Sequence, residues 1–390
     1  MRLSLLLCCI LLCFVKTKVY ADTFIVTSTA DSGPGTLRQA ILDAAANGTA
    51  SPDLIRFNIP ENIFNQRIIR LVNPLPALTS DLVIDGTTQP GESFGTTDAK
   101  ICIMKDDYAA SFILFDITNA RQISIYGLYM IYGYHDGIFN PPFRSPFLYA
   151  INLSNSEQIE IGAPGKGNVI NGYNFAIYSF SESIRNIRIM SNYIGQGLFY
   201  SNATQDIADV VLPVISAIQI VNGKNVSIGG PTPAHGNVIK AERAIGINTN
   251  YNIDMGYIHI ENNLFGKYYD RIRILGGQDM NCATCPNVFI GPDQYLGPAG
   301  SGGKLQYDVS ILNNEIPTSL GIDRLGKPFI IKGNNFDLPP ASPLFTSMAA
   351  KLTITNCEGG IVGGGTDAES NTFRQGGVTG INAIAAYDNF

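Results

Sequence analysis

A recurring phrase is the feature that most constrains how this chain folds. It reads IGAPGKGNVI at 161–170 and IGGPTPAHGNVI at 228–239, with degenerate copies at 290–300 and 361–373. Between the copies lie short segments of alternating aliphatic residues that end in a polar pair containing Asn, a pattern that predicts a strand followed by a corner. Division of each interval by three gives coils of about 21–24 residues, and repetition at such a period predicts a solenoid.

Asparagines recur at the predicted corners. Strands this short bury their faces only when coil stacks on coil, and equivalent residues then lie directly above one another, ~4.8 Å apart. Stacked asparagines are expected to form ladders of amide hydrogen bonds that satisfy otherwise unpaired polar groups. One ladder is predicted from Asn192, Asn263, Asn314 and Asn334, and a second from Asn168, Asn237 and Asn371.

The composition favours a β solenoid over the alternatives. Charged residues make up 15% of the chain, against ~25% in a typical soluble protein, and the 40 glycines and scarce charges disfavour helical bundles. The apolar fraction of 45% argues against disorder. A net charge of −6 gives nucleic-acid binding no electrostatic basis.

The first 21 residues have the pattern of a secretory signal. Arg2 precedes an apolar run of 13 residues, Leu3 to Val15, and the small residue Ala21 ends a cleavage pattern. The mature chain is then expected to begin at Asp22 and to be secreted or displayed at the cell surface. No later apolar stretch approaches the ~20 residues that a membrane helix needs, so no transmembrane span is predicted.

The remaining chain divides into two parts. Residues 22–75 are predicted to form an α/β cap, because the segment TLRQAILDAAANG starts with a capping box at Thr36 and Gln39 and stops at Asn47-Gly48. Residues 76–390 are predicted to form about 14 coils, at the period that defines solenoids. The segment 383–390 has the pattern of another strand and corner, so either the solenoid ends there or the chain is a truncated product.

The predicted fold class is therefore all-β, a single-stranded, right-handed parallel β-helix with a small N-terminal cap. The succession DSGPGTLRQAILDAAA, PDLIRFNIP, LVIDGTTQPG and IGG…GNVI resembles bacterial secreted and surface proteins with right-handed parallel β-helix repeats. DSGPGTLRQAI is similar to the N-terminal motif of these proteins that is written CSLREAI, and related repeats occur in polymorphic outer-membrane proteins. The resemblance covers nearly all of residues 22–390, and it implies the fold and an extracellular location but no single activity.

The densest aromatic segment, residues 125–150, is the predicted binding feature. Its Pro-rich middle is unsuited to a central strand and is expected to project as a loop. Exposed aromatic residues there would stack on sugar rings or contact a partner, whereas interior stacking between coils is the alternative. The binding candidates are Tyr132, Tyr134, Phe139, Phe143 and Phe147.

An enzyme is the alternative function. Parallel β-helices also resemble pectate lyases, polygalacturonases and alginate epimerases, although an architecture does not confer a chemistry. His135 and Asp136 are the best acid–base pair by residue type, but neighbours in a strand point to opposite faces, so they would cooperate only in a turn. A solvated turn is the competing interpretation, and no residue is assigned as catalytic.

The cysteines and acids predict no metal site. Cys282 and Cys285 form an isolated CxxC, which in a secreted chain is expected to be a local disulfide, because zinc would need a second pair of ligands. Cys102 and Cys357 are expected to be buried thiols. The segment 363–370 has an acid after a Gly-rich turn, but it lacks the repeats of a calcium-binding array. No cofactor is predicted, with calcium at this turn as the alternative.

The sequence thus predicts a monomeric, secreted or cell-surface scaffold of the adhesin type that binds glycans or a partner surface. A polysaccharide lyase, epimerase or hydrolase with its site in a groove of the β-helix is the alternative. An enzyme should bring acids, or a basic residue and a carboxylate, together in a groove, whereas a scaffold should show polar ladders without such convergence.

Overall fold

The computed structural model describes most of the chain between residues 21 and 387. The described ranges are 21–48, 51–60, 67–95, 97–105, 111–132, 134–135, 138–139, 147–179, 184–195, 197–200, 207–210, 214, 216–241, 243–248, 254–265, 288–291, 306–316, 320–323, 325–337, 352–355, 357–374 and 384–387. Residues 1–20, which hold nearly all of the predicted signal segment, lie outside them.

Three long parallel sheets form the body of the described chain. Sheet 1 contains, in order, β1 (Thr23–Val26), β2 (Asp53–Phe57), β4 (Leu82–Asp85), β7 (Arg121–Tyr126), β12 (Glu157–Ile161), β15 (Ile184–Ile189), β20 (Gly223–Gly229), β23 (Asp254–Glu261), β26 (Gln306–Leu312), β29 (Phe329–Lys332) and β32 (Gly360–Val362). Sheet 2 contains β3 (Ile68–Arg70), β5 (Ile101–Lys105), β8 (Leu128–Tyr132), β13 (Val169–Asn171), β16 (Tyr193–Ile194), β21 (Val238–Ile239), β24 (Leu264–Phe265), β27 (Glu315–Ile316), β30 (Asn335–Asp337) and β33 (Thr372–Arg374). Sheet 3 contains β6 (Ser111–Thr118), β11 (Phe147–Ser154), β14 (Phe175–Ser179), β19 (Ser216–Val221), β22 (Arg243–Asn248), β25 (Val288–Gly291), β28 (Leu320–Asp323), β31 (Leu352–Thr355) and β34 (Ile384–Tyr387).

Within the described ranges, two antiparallel hairpins interrupt the coils. One pairs β9 (Tyr134–His135) with β10 (Ile138–Phe139), and the other pairs β17 (Gly197–Tyr200) with β18 (Ile207–Val210).

From β4 onward the chain passes through sheets 1, 2 and 3 in the same order on every coil, and each strand pairs in parallel with the strand one coil away. In sheet 1, for example, Ile161 pairs with Ile125 of the coil before and with Ile189 of the coil after. The predicted parallel β-helix solenoid is therefore confirmed. Its right-handed sense and the capping role of the N-terminal segment stay predictions.

The spacing of the described coils differs from the predicted division of each interval into three, whereas the total of about 14 coils stays a prediction. Sheet 1 has 11 strands among the described residues. Ile161 pairs with Ile189 and Ile189 with Ile228, so two coils, not three, separate the two clearest copies of the repeated phrase. The copy at 290 begins in β25 of sheet 3, whereas the other copies begin in sheet 1, so it is not an equivalent repeat.

A column of isoleucines runs through the interior of sheet 1. Its members pair strand to strand and all have 0% exposure: Ile55, Ile84, Ile125, Ile161, Ile189, Ile228, Ile260, Ile311 and Ile331. β-Branched side chains favour strands, and residues two apart share one face, so inward rows of this kind build the core. Side chains at the alternate positions face outward.

Seven asparagines form one continuous ladder at the corner between sheets 1 and 2. They are Asn168, Asn192, Asn237, Asn263, Asn314, Asn334 and Asn371. Each of the first six donates from Nδ2 to the Oδ1 of the next at 2.8–3.0 Å. All seven also donate to an isoleucine carbonyl of the preceding coil. The prediction of two separate ladders is wrong, because all seven positions are in register.

At four of the seven ladder positions, the residue before the asparagine has a left-handed backbone conformation. These residues are Ser191, Asn262, Asn313 and Gly333, with φ between 55° and 66°. Asparagine and glycine tolerate this region, which agrees with the predicted role of these residue types at the corners.

The described part of the N-terminal segment includes the helix α1 (Leu37–Asn47). The Thr36 hydroxyl accepts a hydrogen bond from the Gln39 amide at 3.2 Å, and Gly48 at φ 95° ends the helix, as the sequence predicts. The Gln39 side chain bonds Asp43 instead of the Thr36 amide, so the capping box is only half formed. The buried face of α1 packs against β1 and β2 at the start of sheet 1.

Candidate functional site

The structure places the predicted binding aromatics in different surroundings. Tyr132 ends β8 with 0% exposure, and its ring contacts Phe112 and Tyr173 in the core. It is therefore unavailable for stacking on a ligand, and for this residue the interior alternative applies. Tyr134 pairs with Phe139 across the β9–β10 hairpin.

The remaining predicted site residues are described only in part. Phe147 is the first residue of β11, and the surroundings of its side chain are not described. His135 pairs with Ile138 in the β9–β10 hairpin. Asp136 and Phe143 lie outside the described residues, so cooperation between His135 and Asp136 stays a prediction.

Of the four cysteines considered in the sequence analysis, two lie among the described residues and two do not. Cys282 and Cys285, the predicted disulfide, lie outside the described residues. Cys102 and Cys357 are buried thiols that form no disulfide with a described residue, as expected. Burial raises the pKa of the Cys102 thiol to about 12, so it stays protonated and unreactive at neutral pH.

The outer face of sheet 3 carries three aromatic rings in mutual contact, Tyr149, Phe175 and Tyr178, here called the aromatic patch. Tyr149 of β11 and Phe175 of β14 are direct neighbours across the strand pair. The ring centroids lie 5.3 Å apart for Tyr149–Phe175, 4.8 Å for Tyr149–Tyr178 and 4.8 Å for Phe175–Tyr178, distances typical of favourable aromatic pairs. The rings lie outside the buried core clusters and each is partly exposed.

A polar row runs beside the aromatic patch on the same face. Asp116, Asn152 and Gln219 are in register with Tyr178 on successive strands. Asn152 Nδ2 donates to Asp116 Oδ1 at 2.9 Å. Asp116 Oδ2 and Asn152 Oδ1 accept no hydrogen bond from the residues that the structure describes, and both side chains are partly exposed. The face therefore combines apolar rings with partly exposed acceptor oxygens.

Only part of this patch could be found in the sequence. Tyr149 lies in the aromatic segment 125–150, but Phe175 and Tyr178 lie one coil later and were not singled out. The usable signal was the spacing in FAIYS, where Ala176 and Ile177 face inward and leave the flanking rings outside. Sequence alone does not show that Tyr149 and Phe175 are neighbours, because the pairing depends on the length of the coil between them.

The outer face of sheet 1 carries a second group, the charged cluster of Asp85, Tyr126, Glu160, Lys166 and Arg188. Lys166 Nζ lies 2.7 Å from Asp85 Oδ2, and Arg188 Nη2 lies 2.7 Å from Glu160 Oε2. The Tyr126 hydroxyl donates to Glu160, and Lys166 Nζ lies 5.2 Å from the Tyr126 ring centroid. Basic and acidic groups thus converge, as an enzyme would require, but each charge already has a partner in the cluster.

The tyrosine of this cluster is unsuited to act as a base. Burial, together with the hydrogen bond to Glu160, raises the pKa of Tyr126 to about 12. A general base works best with a pKa near the operating pH. The charged cluster therefore fits a stabilising ion-pair network on an outer sheet face better than a proton-transfer site.

The raised pKa of Tyr126 predicts a specific pH dependence. Between the pKa of an unfolded tyrosine, about 10, and its folded value of about 12, the folded protein keeps a proton that the unfolded chain loses. Stability must then fall as pH rises through this range. Urea denaturation midpoints measured from pH 9 to 12 should fall more steeply for the native protein than for Tyr126→Phe. Parallel curves would contradict the assignment.

In the segment 363–370, where calcium is the predicted alternative, Glu369 is engaged by two neighbouring groups. Glu369 Oε1 lies 2.9 Å from Lys332 Nζ, and Glu369 Oε2 accepts the Gly365 amide at 2.9 Å. The bond with Lys332 lowers the pKa of this carboxyl. Within the described residues, no group of three His, Cys, Asp or Glu side chains is placed to hold a metal ion.

The fold and the two outer faces define the class of this protein as a parallel β-helix with a long asparagine ladder. Over its described part, no helix is both long and apolar enough to cross a membrane. The sequence matches neither the models of known protein families nor the curated proteins with which it was compared.

Proposed function

We propose that this protein is a secreted or surface-exposed β-helix scaffold that binds glycans through the aromatic patch of sheet 3. The observation that carries the proposal is the contact of three partly exposed rings beside the partly exposed side chains of Asp116 and Asn152. The resemblance of the N-terminal motif and repeats to bacterial secreted and surface β-helix proteins supports the location.

The patch offers the two kinds of contact that a sugar needs. The C–H face of a sugar ring is apolar and packs against aromatic rings, while its hydroxyls need hydrogen-bond partners at the edge of the contact. Tyr149 and Phe175 supply the rings, and Asp116 and Asn152 supply acceptors for hydroxyl donors. Contiguous rings on an outer face, instead of single scattered apolar residues, mark an interaction site.

Charge favours a neutral glycan over an acidic one. The chain has a net charge of −6, which works against binding of anionic polymers. Asp116 adds a carboxylate directly beside the patch. A uronate or sulfate group placed there would meet a like charge, so we expect neutral sugars to be the preferred ligands.

Removal of one ring tests the proposal. Isothermal titration of the protein with neutral oligosaccharides should show binding that Tyr149→Ala weakens by roughly tenfold, equivalent to about 1.4 kcal/mol. Tyr257→Ala is the matched control, since Tyr257 is also partly exposed and stacks on His259, but on sheet 1. It should leave the affinity unchanged. Equal losses in the two variants, or tighter binding of acidic than of neutral glycans, would contradict the proposal.

The charged cluster is the observation that favours the enzyme alternative, because Glu160, Arg188 and Tyr126 meet on one sheet face. The same incubations separate the two functions when they are analysed for unsaturated or reducing-end products. A scaffold releases none. Product formation that Glu160→Gln abolishes would replace the scaffold by a polysaccharide-active enzyme.

A further inference from the structure

The backbone nitrogen of Asp22 lies at a buried carboxylate. It donates to Asp53 Oδ1 at 3.0 Å, and the Asn47 side-chain amide donates to the same oxygen at 3.0 Å. Asp53 is 1% exposed. Within the described residues, these two neutral donors are the only groups that bond its carboxylate.

A buried carboxylate without a cation is costly, since burial removes it from water and neutral donors compensate only part of the loss. The neighbouring strand adds a second acid. Asp81 is 2% exposed, its backbone carbonyl bonds the Asp53 amide, and neither of its carboxylate oxygens accepts a hydrogen bond. Its nearest cation is the half-exposed Arg121, at 3.7 Å. Among the described residues, this end of sheet 1 therefore has two buried carboxyl groups and one cation within salt-bridge distance of them, the half-exposed Arg121.

We propose that hydrolysis of the Ala21–Asp22 bond is a maturation step that turns the Asp22 nitrogen into an ammonium paired with Asp53. The co-reactants are water and an endopeptidase that recognises small residues before the bond. The oxygen of water adds to the Ala21 carbonyl carbon, the C–N bond breaks, and the nitrogen takes up the released protons. Ala21 is left as a carboxylate and Asp22 as an amine that is cationic at neutral pH.

The geometry selects this bond over its neighbours. The nitrogen already lies at salt-bridge distance from Asp53 Oδ1. Cleavage one residue earlier or later would displace the new charge by one Cα–Cα step, ~3.8 Å. The same position ends the small-residue pattern in the sequence, which is an independent observation.

The ion pair would hold the first strand of the solenoid in place. β1 lies at the edge of sheet 1, where the Leu54 amide donates to the Asp22 carbonyl at 2.8 Å. Through Asn47, the same carboxylate also contacts the end of α1. The uncleaved precursor has only a neutral amide at this point, so processing strengthens the attachment of β1 and α1 to the coils.

The sign of the pH dependence follows from the charges near the amine. The titratable side chains on the elements that pack against β1 are Arg38, Asp43, Asp53 and Arg56, and the side chain of Asp22 itself lies next to the amine. Of these groups, Asp53 is the one whose carboxylate accepts the hydrogen bond from the Asp22 nitrogen, so it should raise the pKa of the amine. The stability that the ion pair adds is then fully present below the pKa of the amine in the unfolded chain, about 8. It is lost as pH rises through the higher pKa of the amine in the folded protein.

Two proteins that differ by one residue test the inference. One starts at Asp22 and the other at Ala21, and each is released from a removable leader. The pKa of the N-terminal amine is obtained from the pH dependence of its acylation rate, which is measured by mass spectrometry. The protein starting at Asp22 should show a pKa at least one unit above the ordinary 7.7–8.0, a tenfold gain in proton affinity. The protein starting at Ala21 should show the ordinary value.

Substitution identifies the partner. Asp53→Asn should return the amine of the protein starting at Asp22 to the ordinary pKa, whereas Asp43→Asn, which removes an exposed carboxylate of α1, should not. If Asp53→Asn does not fold, the comparison of the two starting residues decides. Equal pKa values in those two proteins, or a secreted full chain whose N-terminus is not Asp22, would overturn the inference. Loss of glycan binding would not affect it.

Discussion

Asn263→Ala is expected to destabilise the protein by about 3–5 kcal/mol, since each buried polar group left without a partner costs about 1–3 kcal/mol. Asn263 Oδ1 accepts from the backbone and side-chain nitrogens of Asn237, and its Nδ2 donates to Ile228 and Asn314. All of these groups are buried. Alanine removes every bond at once and leaves no path by which water satisfies the groups around it.

The ladder mechanism has two internal controls, measured by urea denaturation. Asn58→Ala removes the same atoms from an exposed position in a described segment and should change stability by less than about 0.5 kcal/mol. Asn263→Asp keeps the shape but replaces the two N–H donors by an oxygen that faces carbonyl oxygens. It should therefore cost at least as much as alanine. A small loss in Asn263→Ala, or an aspartate variant as stable as the native protein, would show that the ladder contributes little.

Gly229→Ala is the second substitution expected to have a large effect. Gly229 has φ of 80°, and an added Cβ would lie 1.9 Å from the carbonyl oxygen of Glu261 on the next coil. The backbones at Gly229 and Glu261 belong to adjacent paired coils, so relief of this clash requires the two coils to move apart. We expect a loss of about 3 kcal/mol or more, the sum of backbone strain and overpacking.

Gly363→Ala separates these two causes. Gly363 occupies the equivalent corner position with φ of 82°, but a Cβ there would meet no described atom within 4 Å. This variant should lose only the strain contribution, about 1–2 kcal/mol. Both variants are compared by their denaturation midpoints. Equal losses would mean that coil-to-coil contact at Gly229 adds nothing to the conformational cost.

Local features of the fold were predictable because they depend on neighbours in sequence. The alternation in segments such as IRNIRI places Ile187 and Ile189 inward on a strand. The boundaries of α1 follow from Thr36 and Gly48, whose backbone and side-chain preferences act within a few residues. These preferences need no information about the rest of the chain.

The candidate site was only partly predictable, because outward or inward direction and partner identity depend on packing. Tyr132 and Tyr149 lie in one aromatic segment, yet the first is buried among core rings and the second lies on the outer face of sheet 3. Phe175 and Tyr178 join Tyr149 only through the pairing of β11 with β14. The contact of Asp22 with Asp53 likewise depends on the pairing of β1 with β2.

The repeating unit follows from the amino-acid sequence: short strands with isoleucine on the inner face, corners of asparagine and glycine, and hence a stacked parallel solenoid. The lengths of the coils and their alignment depend on long-range packing. Paired positions in sheet 1 are as close as 20 residues, from Val309 to Phe329, and as distant as 52, from Asp254 to Gln306. Sequence spacing therefore does not reveal the register. Parallel pairing between distant segments sets it, and it brings seven asparagines into one ladder and three rings into one patch.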